Sequence, residues 1–114
     1  MAAVYVSNLV VNSGADFSQS FNLDSADTNS ALNLTGYSVQ AQMRKWSGSS
    51  TATSFTSTIV SPATTGQILL TLTSAQTTDL KPGRYVYDVV ITDSSGTKSR
   101  VIEGMVLVTE GVTR

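Results

Sequence analysis

The side chains of this 114-residue sequence with chemical potential are few and scattered. Asp24, Asp27 and Asn29 place three oxygen donors within six residues, enough to raise calcium. Their spacing differs from the familiar calcium loop and no bidentate glutamate closes the set. Asx residues also favour turns without any ion. Asp88 lies inside Tyr85–Ile91, a stretch otherwise apolar on both faces. A glycosidase needs a second carboxyl opposite the first, and none is placed beside it. A lone carboxylate in such a strand needs Arg84, Arg100 or backbone donors, so a structural ion pair is expected. Arg44-Lys45-Trp46 sets an indole beside two cations, a group that could hold a sugar ring or a partner's edge. The same Trp could equally plug the core or seal its rim. Asn33-Leu-Thr35 matches the glycosylation sequon but means little without a secretion signal.

Absent residue types narrow the chemistry further. The chain has no cysteine and no histidine. It therefore has no disulfide framework, no thiolate or imidazole metal site and no histidine general base. We expect no catalytic residue, no cofactor and no metal, and the chain is not read as an enzyme. Seven basic against eight acidic residues leave a net charge of −1. No basic stripe is available to neutralise phosphates, so nucleic acid is not an expected partner. The apolar runs are too short to span a membrane. Met1 to Asn8 lacks the basic and long apolar regions of a signal peptide, so synthesis in the cytoplasm of the producing cell is expected.

The composition is unusual in its charges, only 13% of residues, about half the common share. Serine and threonine supply 33 of the 114 positions, 17 of them in the charge-free run from Trp46 to Thr78. Hydroxyls keep a surface wet yet can be covered by protein at modest desolvation cost. Threonine also suits the solvent face of an ordinary strand. The first fifteen residues carry no charge and four valines, which leaves an edge strand without a gatekeeper. Val4 and Val6, together with Arg44, Lys45 and Trp46, are accordingly the candidate partner contacts.

The elements that must hold these groups follow from period-2 alternation. Val4 and Val6 through Val11 form a first strand. Phe17, Gln19, Phe21 and Leu23 share one face of a second. Tyr37, Val39, Ala41 and Met43 alternate strictly with polar residues in a third. A Ser/Gly/Thr loop over residues 47–53 leads to a strand at Phe55–Val60, which Pro62 and Gly66 break. Ile68, Leu70 and Leu72 begin the next, and residues 74–80 fit one helical turn capped by Thr73 or Ser74. Tyr85–Ile91 and the run ending in Val108 make a final hairpin. If Thr92 faces Thr97, then Tyr87 faces Ile102, Tyr85 faces Gly104, and Asp88 opposes Val101 beside Arg100. Tyr85, Tyr87, Asp88 and Gly104 are thus assigned structural roles. The expected fold is all-β: one domain over residues 1–114, an immunoglobulin-like β-sandwich of about seven antiparallel strands with one short helical turn.

Two resemblances add to this reading. Leu80-Lys-Pro-Gly-Arg-Tyr85 resembles the corner before the penultimate strand of immunoglobulin-like domains, where a tyrosine hydroxyl bonds back to the preceding loop. The order Gly14-Ala-Asp-Phe17, Asn33-Leu-Thr-Gly-Tyr-Ser-Val-Gln-Ala-Gln-Met-Arg44, Gly66-Gln-Ile-Leu-Leu-Thr-Leu-Thr73, Ala75-Gln-Thr77, Gly83-Arg-Tyr-Val-Tyr-Asp88, Glu103-Gly-Met-Val-Leu-Val108 and Val112-Thr-Arg114 resembles small structural proteins of tailed bacteriophages, notably those of marine cyanobacteria. Asn33 stands where such proteins often carry an acid. The resemblance implies a non-catalytic virion component of the tail, neck or baseplate kind, located in the virion. Its implied partners are further copies of itself, other virion proteins, or both. The alternative is a β-sandwich module that binds carbohydrate or a cell surface.

Overall fold

Strict alternation produces the cleanest element of the fold. In the computed structural model, which describes residues 5–24, 31–46, 48–50 and 52–111, Ser38–Arg44 forms a strand whose Ala41 and Met43 are buried while Gln40 and Gln42 are exposed. In chain order the strands are β1 (Tyr5–Val6), β2 (Leu9–Asn12), β3 (Phe17–Asn22), β4 (Ser38–Arg44), β5 (Ala52–Ser54), β6 (Thr56–Ile59), β7 (Gln67–Leu72), β8 (Gly83–Thr92) and β9 (Lys98–Thr109). A 3-10 turn covers Ala63–Thr65 and one α-helical turn, α1, covers Ser74–Thr78.

The strands form two sheets with the core between them. The large sheet runs β1-β9-β8-β4-β5, with β2 also on β9, and the small sheet runs β3-β7-β6. The inward residues form one cluster, including Val11, Leu23, Met43, Ile68, Leu70, Val89, Ile102 and Val106, all at most 1% exposed. The all-β sandwich is thus the fold of the chain. The first strand departs from the expected antiparallel pattern, because β1 and β2 pair parallel to β9. It is also interrupted at Ser7-Asn8 rather than continuous from Val6 to Val11.

Strand β5–β6 departs as well, starting earlier than expected and changing sheets midway. Residues 52–54 pair with β4 and residues 56–59 with β7. Phe55 is the pivot. Its amide donates to the Ala41 carbonyl at 3.0 Å, and its ring, 5% exposed, lies 5.9 Å from Phe17 and 6.1 Å edge-on from Tyr87. A single aromatic therefore ties the crossing strand to both sheets. The helical turn is capped as expected. Thr73 Oγ1 accepts from the Gln76 amide, and the Gln76 side chain accepts from the Thr73 amide in return.

The β8–β9 register differs from the arithmetic expectation. Thr92 pairs with Lys98, Tyr87 with Gly104, Tyr85 with Val106 and Asp88 with Glu103. Two local causes account for the difference. The turn keeps all of Asp93–Thr97 outside the ladder, because Asp93 Oδ1 accepts from the Ser95 and Thr97 amides and the Ser95 hydroxyl. These donors, the Ser95 hydroxyl first, hold the Asp93 carboxyl below its ordinary range. A bulge at Val89/Val90 then leaves Val101 outside the pairing, so Val101 and Ile102 are both fully buried in succession.

Candidate functional site

Tyr87, Gly104 and Ser7 explain how the large sheet gains its fifth strand position. Ser7 donates its amide to the Glu103 carbonyl at 3.0 Å, and its own carbonyl turns under Gly104. A Cβ on Gly104 would lie 2.1 Å from that Ser7 oxygen. Only glycine leaves room for the crossing. The Tyr87 hydroxyl, on the neighbouring strand, reaches past Gly104 and donates to the same oxygen at 2.6 Å. Asn8 Oδ1 then accepts the Met105 amide at 3.1 Å, replacing a backbone partner where the strand is interrupted. Burial pushes the Tyr87 phenol above its ordinary value. The glycine expected beneath Tyr85 therefore serves Tyr87. Tyr85 instead donates its hydroxyl to the Lys81 carbonyl at 2.8 Å and lies under the Lys45 ammonium, 4.9 Å from the ring centre.

With β1–β2 in place, the large sheet presents one outward face ordered by the registers. Arg84, Leu107 and Val10 form one row; Arg44, Val86 and Met105 the next; Gln42, Asp88, Glu103 and Val6 the third. Val6 (75% exposed), Val10, Val86, Met105 and Leu107 are the exposed large apolar side chains of this face. Trp46 is the remaining one among the described residues, 61% exposed just beyond the end of β4. Single exposed apolar residues are ordinary, whereas a clustered stripe marks a contact surface. A shallow groove of about 580 Å³ follows the stripe, from Val6 and Met105 across Val86 to Arg44 and Asp88.

The charges border the stripe. Arg100 bridges two acids, with Nε 3.4 Å from Asp88 Oδ2 and Nη1 3.4 Å from Glu103 Oε2. Asp88 is half-exposed on the outer face rather than buried, and its cation is Arg100, which the bulge brings within reach. Arg44 donates to the Ser49 carbonyl and to Gln42 Oε1, so it pins the loop that carries Trp46. Gly48 lies 3.6 Å from the indole at its would-be Cβ. Of the residues singled out from sequence, Val6 and Arg44 lie on this face and Trp46 at its corner. Lys45 points to the open end of the sandwich, over Tyr85. Val4, Asp27 and Asn29 lie outside the described residues. Among the described residues no three acidic side chains converge as a metal would require, and no helix is long and apolar enough to cross a membrane.

Sequence reasoning assigned no outward role to Val86, Met105, Leu107 or Val10. The available signal was that, Arg84 and Asp88 apart, β8 and the end of β9 carry apolar residues on both faces, a pattern of strands covered on both sides. It also overlooked Thr77, fully buried in α1. Its hydroxyl donates to the Ala15 carbonyl at 2.8 Å and accepts the Gly14 amide at 3.1 Å. This contact clamps the link from β2 to β3 where the chain changes sheets.

No family model matches the chain, and no curated protein matches it. Among solved structures it is similar to the SrpA adhesin of Streptococcus sanguinis, with a TM-score of 0.54 at 9% identity over 96% of this chain and 57% of that one. It also overlays an internalin-like protein of Listeria monocytogenes, with a TM-score of 0.46 at 16% identity over 95% of this chain and 28% of that one. The chain thus spans little more than half of the adhesin chain it matches. At 9% identity the likeness to the adhesin concerns the fold alone.

Proposed function

We propose that this chain is a non-catalytic assembly module of a phage particle that acts by protein–protein contact through the outer face of its large sheet. The observation that carries the reading is the exposed stripe of Val6, Val10, Val86, Met105 and Leu107 on one continuous face. A strand apolar on both sides is stable in water when a second layer covers it, and the small sheet covers only one side. The resemblance of the segment order to that of small phage structural proteins supports the virion as the setting. The test is mass spectrometry across a density gradient of particles, using the tryptic peptide Tyr85–Lys98 as reporter. Sedimentation with intact particles at fixed stoichiometry is expected, and loss of the Val86→Glu variant from those fractions would tie it to this face. Confinement of the wild-type chain to the soluble fraction would overturn the reading.

A second reading is favoured by Trp46, which is 61% exposed just beyond β4, where Arg44 donates to the Ser49 carbonyl. An exposed indole can stack on a sugar ring, and a fold similar to that of an adhesin accords with a cell-surface binding module. The chain has one Trp, so its fluorescence reports directly. A saturable shift on titration with oligosaccharides, absent in Trp46→Ala, would favour this reading over assembly.

A further inference from the structure

We propose that the occupant of the large-sheet face is a second copy of this chain, seated face to face across a two-fold axis. The inference rests on the reading of that face as a docking surface. A two-fold contact sets a stringent condition on sequence. Residues on the axis meet themselves and must be apolar or neutral, while residues displaced equally to either side meet each other and must be complementary. The outward positions of β8 meet this condition in order: Arg84, Val86, Asp88. An axis lying between the faces and crossing the strands at Val86 sets Arg84 against the partner's Asp88. It sets Val86 against the partner's Val86.

The same axis passes Met105, which pairs with Val86 across the ladder, and so brings the two Met105 side chains together. Further along that row it reaches Asn8, whose side chain already holds the Met105 amide; it sets Val6 against the partner's Val10, and Leu107 against the partner's Glu103, whose carboxylate is paired with Arg100. Arg44 meets its own copy in the same row, with its guanidinium tied back to the Ser49 carbonyl and to Gln42 Oε1. The size is sufficient. Five strand positions at about 4.8 Å and eight residues of β8 at about 3.3 Å give a face of roughly 600 Å². Two such faces reach the roughly 1,200 Å² at which specific interfaces begin. The small sheet offers no comparable surface, since its outward rows are mostly hydroxyls and amides.

The experiment uses the absence of cysteine from the full chain. Val86→Cys should cross-link to a homodimer in high yield with a short bis-maleimide, because the two thiols face each other across the gap of about 10 Å between packed sheets, while Ser20→Cys on the small sheet should cross-link only at background. In sedimentation equilibrium the unmodified chain should reach a dimer and no larger species. Arg84→Glu and Asp88→Arg should each weaken the dimer at least tenfold, and an equimolar mixture of the two should restore it. Mutual rescue by mixing shows that residue 84 of one copy meets residue 88 of the other, and closure at two copies makes that contact two-fold. Circular dichroism of each variant checks that its fold is kept. A chain that stays monomeric at about 500 µM, grows beyond two copies, or cross-links equally through both cysteines would overturn the proposal. If Val86→Glu is nevertheless lost from particles, self-pairing fails while the docking reading stands. If that variant has no effect on either measurement, both fail.

Discussion

On the small sheet the outward rows are Ser18-Thr71-Thr56, Ser20-Leu69-Thr58 and Asn22-Gln67; on the large sheet they are Arg84-Leu107-Val10, Arg44-Val86-Met105 and Gln42-Asp88-Glu103-Val6. The first face has no charge and one large apolar residue. The second carries nearly all the exposed large apolar side chains of the described residues, together with ion pairs at its border. The inward sides of the two sheets are alike, both lined with Leu, Ile, Val and aromatic residues. The contrast shows that the low charge of the composition has two meanings in one molecule. Hydroxyls on the small sheet serve a wet surface with strand-forming side chains. On the large sheet, valine, methionine and leucine occupy places where hydroxyls would have served solvation better.

The comparison breaks first if the large face loses its edge. Gly104→Ala drives a methyl into the Ser7 carbonyl, and we expect a loss of about 2–3 kcal/mol in urea unfolding. Amide exchange at Leu9–Asn12 should accelerate selectively. A change under about 0.5 kcal/mol would mean that the N-terminal strand is not held as described. Tyr87→Phe removes the hydroxyl from the same Ser7 oxygen and should cost about 1–2 kcal/mol, since that buried acceptor loses its donor.

A smaller effect follows from alkaline pH. Burial raises the Tyr87 phenol above its ordinary value of 10.0, so the unfolded chain releases this proton first. The contribution is fully present below the unfolded value and is lost as pH rises through the folded one. Wild type should therefore lose stability more steeply above about pH 10 than Tyr87→Phe does. Parallel alkaline curves for the two proteins would refute the assignment. The smallest effect on stability sharpens the comparison most. Val86→Thr with Met105→Thr gives the large face the chemistry of the small one, and should change monomer stability by less than about 0.5 kcal/mol. Association measured by sedimentation should nonetheless disappear. Retained association would show that the apolar stripe is not the contact.

Much of the fold was legible because period-2 alternation is a local property. Tyr37 to Arg44, Phe17 to Leu23 and the Thr73 cap can be read from neighbours in sequence, and each takes its expected form. The β8–β9 register was not legible, because the Asp93 turn and the bulge at Val89/Val90 each displace the ladder by one residue. Such a slip changes which side chains meet without changing the apolar pattern. The sheet change at Phe55 was hidden for a similar reason, since one aromatic in a Ser/Thr run carries no mark of direction. Of the candidate site, Val6, Arg44 and Trp46 were visible as residue types, whereas Val86, Met105 and Leu107 were taken up into apolar runs.

Sequence by itself determined the strand content, the single helical turn, the absence of histidine and cysteine chemistry, and the apolar character of the last two strands on both sides. Those properties depend on residue type and spacing over a few positions. Tertiary structure decided which side of β8 and β9 the small sheet would cover, and therefore which apolar residues face outward. It also decided that the first strand runs parallel to β9, through a crossing at Ser7 that only Gly104 leaves room for. Burial depends on contacts between residues nearly a hundred positions apart, and no local pattern encodes which of two apolar faces receives them.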